Sequence, residues 1–152
     1  MKKYFHADRN ASFEGVAVGG GKLWVANERQ RGRIIVVDLA TLKAERDFAV
    51  YPSNSKAFDP HYSDLCWFNG ELWVLMREAR TLLRVDPKTE DVLAEFSFSD
   101  MERKKEVVYN SRYPTSTMEG VAVDADYIWL CTDNNGQSRW IAPGDIRPTL
   151  FK

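Results

Sequence analysis

No apolar run in this 152-residue chain approaches the ~20 residues that a membrane-spanning helix needs, so no helical membrane segment is expected. A charge excess of one sign is lacking too. With 21 Lys+Arg against 22 Asp+Glu the net charge is −1, which removes any broad electrostatic case for nucleic acid or an anionic membrane surface. Met1-Lys2-Lys3 leads into Tyr4-Phe5-His6-Ala7-Asp8 with no apolar core, so a secretory signal peptide is not expected. There are only two cysteines, Cys66 and Cys131, both inside apolar runs. Neither lies in a C-x-x-C pair or near a histidine, which excludes zinc and thiol-redox motifs and favours buried free thiols.

Several chemical signatures are absent as well. Gly19-Gly20-Gly21-Lys22 looks like a phosphate loop, but Val16 stands where its first glycine should and Leu23 follows the lysine. There is no G-x-S-x-G nucleophile elbow and no H-E-x-x-H. The short basic cluster Arg103-Lys104-Lys105 reads as a solvated loop. Helical patterning is nearly missing: only Met101 to Val107 could form a short polar turn of helix. What remains is 44% hydrophobic, 12% aromatic and five tryptophans, enough to argue against disorder and for one core-bearing domain over residues 1–152.

The chain repeats itself. Phe13-Glu14-Gly15-Val16-Ala17-Val18, a glycine turn and Leu23-Trp24-Val25-Ala26-Asn27-Glu28 form the first unit's opening. Ser63-Asp64-Leu65-Cys66-Trp67-Phe68, Asn69-Gly70 and Leu72-Trp73-Val74-Leu75 form the second. Met118-Glu119-Gly120-Val121-Ala122-Val123, Asp124-Ala125-Asp126 and Ile128-Trp129-Leu130-Cys131 form the third. Trp24 and Trp73 are 49 positions apart, and both Glu14–Glu119 and Trp24–Trp129 are 105 apart. The first two units continue alike, through Arg33–Asp38 and Thr81–Asp86, each with a threonine three residues on (Thr41, Thr89).

Each unit therefore predicts four short strands rich in Val, Ile, Trp and Phe, bounded by turn residues. Four strands every ~40–50 residues is the pattern of β-propeller blades. The fold class predicted is all-β, with three four-stranded antiparallel blades over about 12–50, 62–98 and 117–152. The third unit runs short, and residues 3–7 could supply its outer strand. Closed propellers typically have 4–8 blades. Three blades leave two apolar faces, so a homodimer completing a six-bladed ring is expected. The competing reading is a piece of a longer protein.

In such a blade the innermost strand starts on the face where the second strand ends. That rim gathers Glu14, Asp64 and Glu119 from the first strands and Asn27, Glu28, Arg77, Glu78, Asp133, Asn134 and Asn135 from the second. Two long loops, Tyr51–Tyr62 and Ser99–Thr117, add His61, Tyr109, Arg112 and Tyr113. Three inner acids, doubled by symmetry, would ring the mouth with oxygen donors suited to Ca²⁺, so Glu14, Asp64 and Glu119 are candidate metal ligands. His61 and Asp133 are the candidate catalytic pair, with Asn27, Glu28, Arg77, Glu78, Asn134, Asn135 and Arg112 as ligand contacts. Against this, each acid could simply cap its own strand start. Asp133-Asn134-Asn135-Gly136 could be only a turn, and the repeated tryptophans read as packing core.

The stretches Glu-Gly-Val-Ala-Val…Leu-Trp-Val-Ala-Asn-Glu and Met-Glu-Gly-Val-Ala-Val…Trp-Leu-Cys-Thr-Asp-Asn-Asn-Gly, with the closing Gly144 to Phe151, resemble the family of the esterase-like activity of phytase. The likeness covers most of this chain but only about half of a full family member. More loosely, the chain is similar to the six-bladed gluconolactonase and paraoxonase group, in which a Glu preceding Gly at an inner-strand start is a calcium ligand. The resemblance implies a hydrolase-like propeller acting on an ester or phosphoester, and an exported location, periplasmic or extracellular. The alternative is a non-catalytic module holding a protein or small ligand. An ordered cation at the inner acids would favour the first. A mouth neutralised by Arg77 or Arg112 folded inward would favour the second.

Overall fold

A computed structural model of the chain describes residues 12–28, 32–53, 60–111 and 117–152. The first sheet holds β1 (Phe13–Gly19), β2 (Lys22–Asn27), β3 (Arg33–Asp38) and β4 (Ala44–Phe48) in that spatial order, all antiparallel. The second repeats it with β5 (Asp64–Phe68), β6 (Glu71–Met76), β7 (Thr81–Val85) and β8 (Val92–Ser97). A four-residue helix, α1 (Ser99–Glu102), follows. It starts two residues before the sequence places it and is shorter, because the chain turns into a loop after Arg103. The third sheet holds β9 (Thr117–Val123), β10 (Ile128–Asp133) and β11 (Leu150–Phe151).

The third sheet has three strands among the described residues, the number that residues 117–152 were expected to supply, with the fourth expected from residues 3–7. Asn134–Thr149 joins the last two of them. Instead of a tight turn it forms a long loop pinned by Arg139, whose guanidinium reaches Asp145 Oδ2 (3.2 Å), Glu106 O (3.0 Å), Arg147 O (3.0 Å) and Thr149 Oγ1 (2.8 Å). β11 uses up the remaining chain as the third strand. Residues 3–7, proposed as the outer strand, lie outside the described residues.

Local chemistry explains the turns. Gly20 and Gly21 (φ 60° and 74°) and Asn69 and Gly70 (φ 50° and 82°) provide the left-handed pairs that two-residue hairpins need. Asp38 Oδ1 accepts from Thr41 N, and Asp86 Oδ1 from Lys88 N and Thr89 N, closing equivalent third turns. Each is followed by a left-handed residue, Leu42 or Glu90.

The inner strands β1, β5 and β9 lie side by side, and the sheets stack through their faces. Trp24, Ala26, Ile34, Val36 and Phe48 of the first sheet pack against Leu65, Leu72, Val74 and Met76 of the second, with Trp67 stacked on Trp24 at 5.5 Å. Trp73, Leu75 and Leu82 pack on Met118 and Leu130 of the third, with Cys66, Phe68, Val121 and Val123 alongside. Both internal junctions use the same repeat positions. Trp24 and Trp73 are core, as expected; Trp129, their equivalent, is half-buried.

Register corrects one expectation. In β1, Phe13 pairs with Asn27 and Gly15 with Ala26, leaving Glu14 as the extra residue of a bulge. β9 repeats this, with Met118 opposite Thr132, Gly120 opposite Cys131 and Glu119 extra. In β5, however, Asp64 pairs with Leu75, the residue equivalent to Ala26 and Cys131. Ser63 thus holds the position of Glu14 and Glu119, and Asp64 holds that of Gly15 and Gly120. The three acids are not equivalent.

Candidate functional site

The bulges explain why the two glutamates project at the strand starts: an extra residue breaks the alternation and re-aims its side chain. Arg77 organises the space between them. It follows β6 directly, at the repeat position that Glu28 holds after β2 and Asp133 at the end of β10. Its Nη2 lies 2.8 Å from Glu28 Oε1 and 3.2 Å from Glu78 Oε1, and its Nη1 donates to Glu119 Oε1. Glu28 is itself fixed, since its N–H donates to Ser12 O and its carbonyl accepts from Tyr62 N. Its side chain is only 4% exposed, so the Arg77 pair is largely desolvated.

His61 Nδ1 stands 3.0 Å from Glu78 Oε1, at ion-pair distance but not aligned as a hydrogen bond. Burial works to raise the Glu78 carboxyl, yet His61 and Arg77 hold it below the ordinary glutamate value. Glu119 moves the other way. Burial lifts it, the charges of Asp133 and Glu14 add to that, and Arg77 only partly opposes them. Arg77 itself is held more firmly protonated by Glu78 and Glu119 despite its burial.

The structure thus brings Glu28, Arg77, Glu78, Glu119 and His61 into one network, with Glu14 and Asp133 within electrostatic reach of Glu119. It does not bring Asp64 into it. Asp64 Oδ1 accepts from its neighbour Leu65 N (2.8 Å), and Oδ2 accepts from Val121 N across the sheet junction (2.8 Å). Glu14 Oε1 accepts from Ser12 Oγ (2.7 Å). Among the described residues no three His, Cys, Asp or Glu side chains are arranged to hold a metal ion. Within one chain the carboxylates of Glu14, Asp64 and Glu119 each turn to a different donor: Ser12, the amides of Leu65 and Val121, and Arg77.

Asp133–Gly136 is a turn. Asn135 N donates to Asp133 Oδ1 and Gly136 N to Asn134 Oδ1, with Asn135 and Gly136 left-handed at φ 50° and 72°. Asn134 Nδ2 donates to Ile146 O. Asp133 is exposed and contacts its own turn, while His61 faces Glu78. Asn27 is 1% exposed, and its Oδ1 has no hydrogen-bond partner among the described residues. Arg112 and Tyr113 lie outside the described residues. Tyr109 is buried, not on the rim, with its hydroxyl hydrogen-bonded to Thr132 Oγ1 and Arg147 O. Sequence reasoning missed the pair Arg80–Glu102. Glu102 is 2% exposed, 2.9 Å from Arg80 Nε, and accepts from Met118 N. Its role depends on the path of the loop after β8, which no local pattern reveals.

No family model matches the chain, and no curated protein matches it. Solved structures do. The Neurospora crassa Pan2 WD40 domain superposes with a TM-score of 0.52 at 13% identity, covering 91% of this chain and 34% of that one. A luciferin-regenerating enzyme superposes with a TM-score of 0.54 at 14% identity, covering 80% of this chain and 37% of that one. The fold is of the β-propeller type. The chain spans little more than a third of these two structures, and at such identities the likeness speaks for fold alone. It is consistent with a half-propeller of three blades. The narrower likeness to the phytase family is one of sequence alone.

Proposed function

We propose that this half-propeller is a non-catalytic recognition module whose mouth accepts a cationic group of its ligand. The observation that carries the reading is Arg77, which occupies the carboxylates of Glu28, Glu78 and Glu119 and so fills by ion pairing the place an ordered cation would take. One guanidinium does not balance the mouth. Glu14 and Asp133 are exposed and form no ion pair among the described residues, and their charges act on Glu119. Three carboxylates against one guanidinium, with Glu14 and Asp133 beyond them, leave a negative field that suits a lysine or arginine side chain, or a small organic cation.

The test is calorimetric titration with a Lys/Arg-bearing peptide against its acidic counterpart. Binding of the basic peptide should weaken with added salt. The Glu14→Gln/Asp133→Asn variant should bind it at least about tenfold less tightly. Calcium and a chelator should leave the melting temperature unchanged. No binding of the basic peptide, or a calcium-dependent rise in melting temperature, would overturn the reading.

One observation favours a second reading. His61 beside Glu78 sets an imidazole 3.0 Å from a carboxylate, the two group types of a general base and its orienter. With the phytase-family resemblance, it supports a hydrolase of an ester or phosphoester. Hydrolysis of a chromogenic ester, abolished in His61→Ala, would establish it.

A further inference from the structure

The two outer faces of the chain are halves of a junction that the chain already makes twice. At the junctions between sheets one and two and between two and three, one partner presents a tryptophan face. In the first blade that face is Gly15, Ala17, Trp24 and Ala26; in the second it is Asp64, Cys66, Trp73 and Leu75. The other partner presents its opposite face, Leu65 and Trp67 in the second blade or Val121 and Val123 in the third. By the same repeat spacing, the third blade carries an unmatched tryptophan face: Gly120, Ala122, Trp129 and Cys131. The first blade carries an unmatched opposite face, with Val16 and Val18 at the positions of Leu65 and Trp67.

Burial follows this logic. Ala26 and Leu75 are fully buried, whereas their equivalent Cys131 is exposed. Ala17 is buried and Ala122 exposed. Leu65 is 3% exposed, whereas its equivalent Val16 is 59% and the neighbouring Val18 61% exposed. Gly120 adds a steric clue. A Cβ on Gly15 would stand 2.6–2.8 Å from the Asp64–Leu65 backbone, so a glycine is needed there because the next inner strand lies against it. Gly120 keeps a glycine at the same position, yet among the described residues no backbone approaches it, and only Cys131 Sγ (2.5 Å) and Asp64 Oδ2 (3.8 Å) come near. On that side of Gly120 the described residues bring no neighbouring strand.

We infer that a second copy of this chain supplies that strand. The third blade of each copy would pack head-to-tail on the first blade of the other, closing a six-bladed ring about a two-fold axis. Gly120 meets the partner's Gly15, and Trp129 meets the partner's Val18 as Trp24 meets Trp67. Two reasons select this occupant. Each free face complements the other face of the same chain. And of whole multiples of three blades, only six falls in the 4–8 range of closed propellers. The inference does not depend on what the mouth binds.

Sedimentation of the 152-residue chain should give the mass of two chains. Val16→Asp/Val18→Asp on the first blade and Ala122→Arg on the third should each yield single chains that keep the β-type circular dichroism. Leu93→Asp, on outer strand β8, should stay paired. Alkylation of Cys131, read by mass spectrometry, should be at least about tenfold slower in the wild type than in either single-chain variant. Should one of these fail to fold, the other carries the comparison. A one-chain or three-chain mass for the wild type would overturn the inference. So would loss of pairing in only one of two folded face variants, or equal Cys131 rates.

Discussion

Asp64 stands where the other two inner strands carry glycine, and its carboxylate turns toward the neighbouring blade rather than the mouth. Both of its oxygens accept backbone N–H bonds. Burial nevertheless lifts its pKa above the ordinary aspartate value. Asn offers one acceptor oxygen where Asp offers two, so Asp64→Asn leaves one amide facing an NH₂ group and should cost about 1–3 kcal/mol in chemical denaturation. Asp64→Ala should cost no less. Equal stability of the asparagine variant and the wild type would show that the junction does not need both bonds. Glu119 gives a pH signature. Its folded-state pKa lies above the unfolded value near 4.5, so the folded chain binds the extra proton between the two. That contribution to stability is greatest at low pH and declines as pH rises from about 4.5 through the folded value. Glu119→Gln removes this slope, so the wild-type advantage over the variant should shrink with rising pH across that window. An advantage that grows with pH would reverse the assignment. At this scale the residues gathered at the rim from the sequence include Glu28, Arg77, Glu78, Glu119 and His61, which the structure brings into one network. The sequence could not say that Arg77 would bridge Glu28 and Glu119, although opposite charges at equivalent repeat positions are a readable hint of such pairing.

At the scale of elements, strands and turns were legible because their causes are local: alternating apolar residues, Asn-Gly and Gly-Gly hairpins, and Asp-x-x-Thr turns. Register was not. A bulge inserts one residue without changing composition, and that single slip separates Asp64 from the two glutamates it resembles in the sequence. The third blade's outer strand was expected from residues 3–7, which lie outside the described residues. The loop that replaces a tight turn owes its path to Arg139 and its several long-range acceptors. The glycine at the bulge yields a prediction for the element as a whole. Gly15→Ala drives its Cβ into the backbone of β5, which cannot swing aside like a side chain, and should destabilise the chain by about 1–3 kcal/mol. Among the described residues Gly120→Ala presses only on the movable thiol of Cys131, so it should cost little in the isolated chain. The two alanine variants, compared by urea titration under conditions that keep chains apart, should therefore differ clearly. Equal costs would mean that the first junction is looser than its contacts indicate.

For the whole molecule, the apolar faces at both ends link stability to association. If folded chains pair and unfolded ones do not, mass action ties the melting temperature to concentration. A tenfold rise in concentration adds about 1.4 kcal/mol per pair to the folded side. The unfolding entropy of two such chains, at about 2 cal/mol/K per residue, turns that into a melting-temperature rise of about 2 °C for each tenfold concentration step. The shift is small but well within the reach of calorimetry over two decades of concentration. It reads a different property from sedimentation mass, because it requires that pairing and folding share one transition. A melting temperature independent of concentration would show that the three blades hold together without the twin. Val16 and Val18 would then be ordinary exposed side chains, and the glycine at position 120 would need another cause.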